Sequence, residues 1–79
     1  MNVVFEHSDG RKTVLGTATN KQDAWKIVRK FLDEHNYHSP YQRVSVIPDE
    51  RRVWIDVGSH SEFFHYTDLT DEELEEFKL

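Results

Sequence analysis

The sequence contains no cysteine, which excludes disulfides, thiolate metal sites and cysteine nucleophiles. No apolar run approaches the roughly 18 residues that a membrane-spanning helix needs. The first residues lack a basic segment followed by a long apolar stretch, so they do not resemble a signal peptide. The sequence therefore favours a cytoplasmic protein.

Glycine and proline are also scarce, with three and two residues in a chain of 79. The glycines are dispersed, so no glycine-rich loop is available to cradle a phosphate. A chain of this length forms one domain, here residues 1–79, and buries only about 60–65% of its unfolded surface. We therefore expect a small core and no linker.

Basic residues are nearly absent from the C-terminal segment. The net charge is −5, and residues 67–79 contain six acidic residues and only one basic residue, whereas the preceding chain is balanced. Thr70 and Glu73 have the spacing of a capping box, with acids in the first turn, where the helix dipole favours them. We expect a short, acidic, solvated helix with Leu69, Leu74 and Phe77 on its apolar side.

The N-terminal third predicts a hairpin followed by a helix. Asp9-Gly10 lies between the strand-like runs Asn2–His7 and Lys12–Thr17, and Asp-Gly favours a two-residue type I′ turn. The expected pairs are Phe5 with Val14, Val3 with Gly16, Val4 with Leu15, and Glu6 with Thr13. Thr19 or Asn20 then caps a helix from about Lys21 to Asn36. One arc of this helix holds Ala24, Trp25, Ile27, Val28, Phe31, Leu32 and His35.

A second hairpin is predicted from Tyr41–Ile47 and Arg52–Val57, which a four-residue loop joins. The expected pairs are Val46 with Val53, Val44 with Ile55, Ser45 with Trp54, Arg43 with Asp56, and Ile47 with Arg52. This register sorts apolar pairs onto one face. We expect Arg52–Val57 to be central, Gly58–Glu62 to form a turn, and Phe63–Tyr66 to return as a short strand.

These elements predict an α+β fold in the order β-β-α-β-β-(β)-α, with the long amphipathic helix on one face of an antiparallel sheet of four or five strands. The expected core face contains Val3, Phe5, Val14, Val44, Val46, Val53, Ile55 and Val57. The expected opposite face contains Val4, Leu15, Tyr41, Ile47 and Trp54. Either the terminal helix covers this second face, or the face is open.

The histidines and serines offer little chemistry. His60, Glu62 and His65 match no standard zinc spacing, and His35 is more typical of a core-edge residue bonded to a backbone carbonyl. Ser59-His60-Ser61 lacks the Gly-x-Ser-x-Gly pattern of a nucleophile, and such serines usually bond the local backbone. We therefore expect no enzyme activity, no metal and no cofactor.

A binding role is the main expectation, through a protein partner or a second copy of the chain. An outward aromatic residue beside an irregular turn is typical of a contact surface. The expected contacts are Trp54, Tyr41, His38, Ser59, His60 and Glu62. One alternative is nucleic-acid binding through Lys26, Arg29, Lys30, Arg51 and Arg52, although acids share the helix face. Another is an acidic inhibitor whose tail helix imitates nucleic-acid charge.

The segment from Tyr41 to Tyr66 resembles small uncharacterised proteins of Gram-positive bacteria and their phages. The resemblance rests on a strand that ends in Ile55-Asp56-Val57-Gly58-Ser59-His60, followed by Glu62-Phe63-Phe64. It covers about a third of the chain and excludes the acidic tail. It implies no particular activity, but it does imply an accessory protein of a phage or prophage.

Overall fold

The structure is a computed structural model that describes residues 1–35, 42–59 and 61–78. Its elements are β1 (Asn2–Glu6), β2 (Lys12–Thr17), α1 (Lys21–Glu34), β3 (Arg43–Ile47), a 3₁₀ turn (Pro48–Glu50), β4 (Arg52–Asp56), β5 (Phe63–Thr67) and α2 (Asp71–Phe77). The strands form one antiparallel sheet in the order β2-β1-β5-β4-β3. The predicted α+β fold is confirmed.

The first hairpin closes differently from the prediction. The His7 N–H donates to the Arg11 carbonyl at 2.7 Å, and the Gly10 N–H donates to the His7 carbonyl at 2.9 Å. The loop is therefore Ser8-Asp9-Gly10, and Gly10 has a φ of 91°. A three-residue loop of this kind combines a type I turn with a left-handed glycine. The prediction of a two-residue type I′ turn was wrong.

The longer loop shifts the strand pairing near the turn by one residue from the prediction. Leu15 forms a bulge, and beyond it the predicted pairing is restored. Val3 lies opposite Gly16 as predicted, but Val4 lies opposite Val14 and Phe5 opposite Thr13. The predicted faces of two residues were therefore wrong. Val14 is not in the core and is 63% exposed, while Leu15 packs against the core on the helix side.

The second hairpin has the predicted register in every pair. Arg51 closes it in a left-handed conformation, with a φ of 49°. Val44 does face the helix side but is 37% exposed, because β3 is an edge strand that one helix does not reach. Val44 therefore lies on the predicted face of the sheet but outside the buried core. β4 has neighbours on both sides, but the middle strand of the sheet is β5.

Helix α1 begins at a specific cap and packs on one face of the sheet. The Asn20 side chain accepts a hydrogen bond from the Asp23 N–H at 2.8 Å, which selects Asn20 over Thr19 as the N-cap. The helix ends at Glu34 with His35 as its C-cap. The predicted end at Asn36 lies outside the described residues. The buried side chains of α1 are Ala24, Val28 and Leu32.

Helix α2 lies on the same side of the sheet as α1. Its capping box forms as predicted, with Thr70 and Glu73 each bonding the other's backbone N–H. Phe77 contacts the ring of Tyr66 at a centroid distance of 5.7 Å. The Glu76 carboxylate accepts a hydrogen bond from the Lys21 N–H at 3.0 Å, which ties α2 to the start of α1. The terminal helix therefore leaves the opposite face of the sheet uncovered.

The core lies between the sheet and the two helices. It includes Val3 and Phe5 from β1, Val53 and Ile55 from β4, and Phe64 and Tyr66 from β5. Val57, Leu69, Leu74 and Phe77 complete it on the C-terminal side. Within the three described ranges, no helix is both long enough and apolar enough to cross a membrane.

We predict that Thr70→Ala lowers the free energy of unfolding by about 1 kcal/mol, because it removes the acceptor that caps α2. Chemical denaturation followed by circular dichroism measures the change. Thr19→Ala is the matched control, since Thr19 is exposed and no described contact involves its side chain; we expect a change below about 0.5 kcal/mol. Equal losses in the two variants would contradict the role of the capping box.

Candidate partner-binding face

The side of the sheet away from the helices is defined by strand alternation, and we call it the open face. Its central residues are Val4, Val14, Trp54, Phe63 and His65. Its charged residues are Glu6, Lys12, Arg43, Arg52 and Asp56. These assignments follow from the observed strand pairs, because paired residues share a face. No described helix or loop packs across this face.

An aromatic pair lies on the open face. The rings of Trp54 and Phe63 have centroids 5.0 Å apart and planes inclined at 45°, and both side chains are half-buried. Trp54 on β4 and Phe63 on β5 are diagonal neighbours, which long side chains can bridge. The prediction that Trp54 faces away from the helix is confirmed. The pair gives the face a firm apolar centre that still reaches solvent.

A chain of polar side chains runs beside the aromatic pair. The Glu50 carboxylate accepts from Arg52 at 2.8 Å, and a second Arg52 nitrogen lies 3.0 Å from His65 Nδ1. His65 Nε2 lies 2.9 Å from the Glu6 carboxylate. Arginine is always a donor, so Nδ1 must accept and Nε2 must carry the proton that is donated to Glu6. Both nitrogens of His65 therefore have protein partners.

The electrostatics of His65 favour the same neutral tautomer. Burial lowers the pKa of His65; the Glu6 carboxylate opposes this effect, and the charges of Arg52 and Lys12 add to it. A proton on Nδ1 would also point at the Arg52 guanidinium, which has no lone pair to accept it. The side chain is only 6% exposed, so this network is part of the structure of the open face.

A shallow depression of about 410 Å³ lies over this network. The aliphatic side chains of Val4 and Val14 and the charged ends of Glu6, Lys12 and Arg52 line it, together with His65. Glu50 and Thr67 also line it, so four of its lining side chains are charged, two acidic and two basic. The depression therefore offers contacts for a mixed surface rather than for a single ion.

The predicted contact turn is only partly described. The Ser59 hydroxyl accepts from the N–H of Glu62 at 3.1 Å and of Ser61 at 3.4 Å, as expected for a serine that orders its own loop. The Ser59 hydroxyl is therefore hydrogen-bonded within its own loop. Tyr41, His38 and His60, which were predicted with Trp54 as contacts, lie outside the described residues.

The predicted nucleic-acid residues do not share one surface. Lys26, Arg29 and Lys30 are exposed on α1, and Lys26 lies 3.8 Å from Asp23. Arg51 bonds Asp71 at 2.7 Å and so links the second hairpin to α2. Arg52 lies on the open face, on the other side of the sheet. The five cations are therefore distributed over three regions of the molecule.

Most acidic side chains of the tail form hydrogen bonds or ion pairs with other residues of the protein. Asp68 accepts from the Asn2 amide, Asp71 pairs with Arg51, and Glu73 caps α2 and lies 2.9 Å from the Met1 amino group. Glu75 pairs with Lys78, and Glu76 accepts from α1. Burial raises the pKa of Glu73, but hydrogen bonds from Thr70 and the amino group outweigh it and lower the pKa overall.

His35, the C-cap of α1, makes the predicted contact with a backbone carbonyl, but its side chain is exposed. His35 Nδ1 lies 2.9 Å from the Phe31 carbonyl, and its ring stacks on Phe31 at a centroid distance of 4.0 Å. No cluster of three or more His, Asp or Glu side chains suited to a metal occurs in the described parts of the chain.

Sequence reasoning missed the importance of His65 and Phe63. The sequence predicts a short strand for both residues but no register, so it does not assign them to a face. The spacing of Phe63, His65 and Thr67 was the available signal, because alternate residues of a strand share a face.

We predict that the protein becomes less stable as the pH falls below 6.5, the ordinary histidine value, because the unfolded chain then takes up a proton that folded His65 resists. One such group contributes a slope of at most about 1.4 kcal/mol per pH unit. NMR titration of the His65 ring measures its pKa directly.

Two variants test the origin of this shift. Glu6→Gln removes the interaction that raises the pKa of His65, so the pKa should fall further. Arg52→Met removes the opposing charge and some of the burial, so the pKa should rise. A His65 pKa at or above 6.5 in the unmodified protein would contradict the described network.

No protein-family model, curated protein or solved structure matches this chain.

Proposed function

We propose that this protein is a small non-enzymatic binding module whose open face contacts a partner protein. One observation carries the proposal: both helices pack on the same side of the sheet, and the other side presents the Trp54–Phe63 pair. Sheets with one bare face usually present polar side chains to water. A half-buried aromatic pair on such a face is more typical of a contact surface.

The composition of the open face favours protein over nucleic acid. Tryptophan, phenylalanine and arginine are enriched at the centres of protein interfaces. The charges of the face are balanced, with Glu6 and Asp56 beside Lys12, Arg43 and Arg52, and Glu50 at the rim. A phosphate backbone is bound by a surface of predominantly positive charge. The best partner is therefore a protein surface with an apolar centre and a rim of mixed charge.

The size of the open face suits a transient contact. Five strands at about 4.8 Å and about five residues of 3.4 Å each give a face of roughly 24 by 17 Å, or about 400 Å² before side-chain relief. A standard interface buries about 800 Å² on each partner. Unless neighbouring loops contribute, the contact lies at the low end of the range.

The His65 network supports a binding role over a catalytic one. A general base needs a nitrogen that can reach a substrate proton, and both nitrogens of His65 are already hydrogen-bonded within the protein. The network instead fixes the positions of Glu6 and Arg52, two charged side chains at the edge of the depression. Fixed charges give a surface specificity at little entropic cost.

The alternatives have less support. Nucleic-acid binding through the five predicted cations would need side chains from different sides of the molecule. Charge imitation by α2 would need free carboxylates, whereas most tail acids bond other parts of the fold. A role in a phage or prophage, and a cytoplasmic location, stay predictions from the sequence.

We predict that a photo-reactive residue at position 14 cross-links to a partner protein in the cells that naturally produce this chain. Val14 is 63% exposed on the open face and outside the core, so its replacement should be tolerated. Position 26, exposed on α1, is the matched control and should give no discrete product. Mass spectrometry identifies the product, and a mass of two chains would make the partner a second copy.

Substitutions in the cross-linked complex test which residues of the open face contact the partner, and nuclease treatment tests whether the partner is a protein. Trp54→Ala should weaken the purified complex on the order of thirtyfold, or about 2 kcal/mol, as expected for a central aromatic contact. Lys12→Glu should weaken it and Lys26→Glu should not. A product that nuclease removes, equal products at positions 14 and 26, or no product at position 14 would overturn the proposal.

A further inference from the structure

A groove of about 370 Å³ lies on the other side of the sheet, between the start of α1 and the end of α2. Trp25, Tyr66 and Phe77 supply aromatic walls, and Lys21, Gln22 and Gln42 supply polar groups. Its volume is at the lower end of the range for small-molecule sites, which combine apolar walls with a few polar groups. None of these six residues belongs to the open face.

The hydroxyl of Tyr66 is the unusual feature of this groove. The residue is only 1% exposed, and no group in the described parts of the chain hydrogen-bonds to its oxygen. Every fully buried side-chain nitrogen or oxygen among the described residues has a partner. Part of the Tyr66 hydroxyl therefore reaches solvent, and of the described cavities the groove is the one that Tyr66 lines.

The hydroxyl of Tyr66 is protonated at neutral pH. The ordinary pKa of 10.0 already ensures this, and burial raises the pKa of Tyr66 further. The hydroxyl is therefore a hydrogen-bond donor with no acceptor within the described protein. A bound molecule with an oxygen acceptor would satisfy it.

Lys21 supplies the charge of the groove. Its ammonium lies 5.3 Å from the centre of the Phe77 ring, which holds it at the groove by a cation–π contact. It is the one charged side chain among the described lining residues, and no described carboxylate forms an ion pair with it. The nearby Glu76 carboxylate is bonded to the Lys21 backbone N–H and does not line the groove.

We infer that this groove binds a small planar aromatic molecule that carries a carboxylate. The ring packs against Trp25 and Phe77, and the carboxylate accepts from the Tyr66 hydroxyl and the Lys21 ammonium. The amides of Gln22 and Gln42 have donors and acceptors for further polar groups on the ligand. A free aromatic acid and a peptide that ends in an aromatic residue present the same chemistry. The inference is independent of the open face.

The test is an NMR titration of the full chain with defined probes. 3-Phenylpropionate represents the free acid, N-acetylglycyl-phenylalanine represents a peptide end, and 3-phenylpropylamine has the same ring with the opposite charge. We expect saturable shifts of the Trp25 indole N–H and the Phe77 ring with an acid probe, and weaker binding of the amine by tenfold or more. The acid that binds more tightly identifies the source of the ligand.

Two variants test the assigned contacts. Tyr66→Phe removes only the hydroxyl, and Lys21→Met removes only the charge. Each substitution should lower the affinity for the acid probe by about tenfold, as expected for a hydrogen bond to a charged group. Lys26→Met, on the same helix but outside the groove, should not change the affinity. Melting curves establish that each variant is folded.

Three results would overturn the inference. The first is no saturable shift with either acid up to about 10 mM, a concentration that would nearly saturate a site with a Kd near 1 mM. The second is equal binding of the acid and the amine. The third is full affinity in both the Tyr66→Phe and Lys21→Met variants.

Discussion

The structure depends on the insertion of β5 between β1 and β4. This strand joins the two hairpins into one sheet, since neither hairpin pairs with the other directly. Its alternation also sets the two faces. Phe64 and Tyr66 enter the core, where burying a large side chain contributes about 1.5–3 kcal/mol each, while Phe63 and His65 lie on the open face. The core, the open face and the groove therefore all contain residues of this one strand.

The position of α2 decides what is left exposed. Its apolar side chains complete the core beside α1; Asp68, just before it, bonds the first strand, and acids within it bond the second hairpin and the start of α1. Because both helices are on one side, the aromatic pair of the open face has no described cover. The polar network around His65 keeps that face ordered, since a fully satisfied network rigidifies the side chains that it joins.

The sequence predicts much of this fold because local patterns decide it. The 3.6-residue period defined α1, the Thr70–Glu73 spacing defined α2, and charge and apolar pairing fixed the β3–β4 register. The prediction of the first hairpin loop was wrong because Asp-Gly fits both a two-residue turn and a three-residue loop with glycine in the left-handed position. The one-residue error in loop length shifts the predicted register by one position. The prediction therefore assigns Val14 and Leu15 to the wrong faces of the sheet.

Long-range features were harder to predict. The run Phe63-Phe64-His65-Tyr66 shows no clear apolar and polar alternation, because one of its faces is core and the other is an aromatic and histidine surface. Nothing local indicates that it becomes the middle strand. The pairing of His65 with Glu6 joins residues that are 59 positions apart, and the groove at Tyr66 needs three separate elements. Such contacts follow from topology, which a single sequence specifies only through its global packing.

Helix α2 packs beside α1 and leaves Trp54 on an uncovered face. The most direct test is a set of NOEs from the Phe77 ring in the free protein. We expect NOEs from the Phe77 ring to the Tyr66 ring, because the two ring centroids are 5.7 Å apart, and none to Trp54. NOEs between Phe77 and Trp54 would place α2 on the open face and contradict this arrangement.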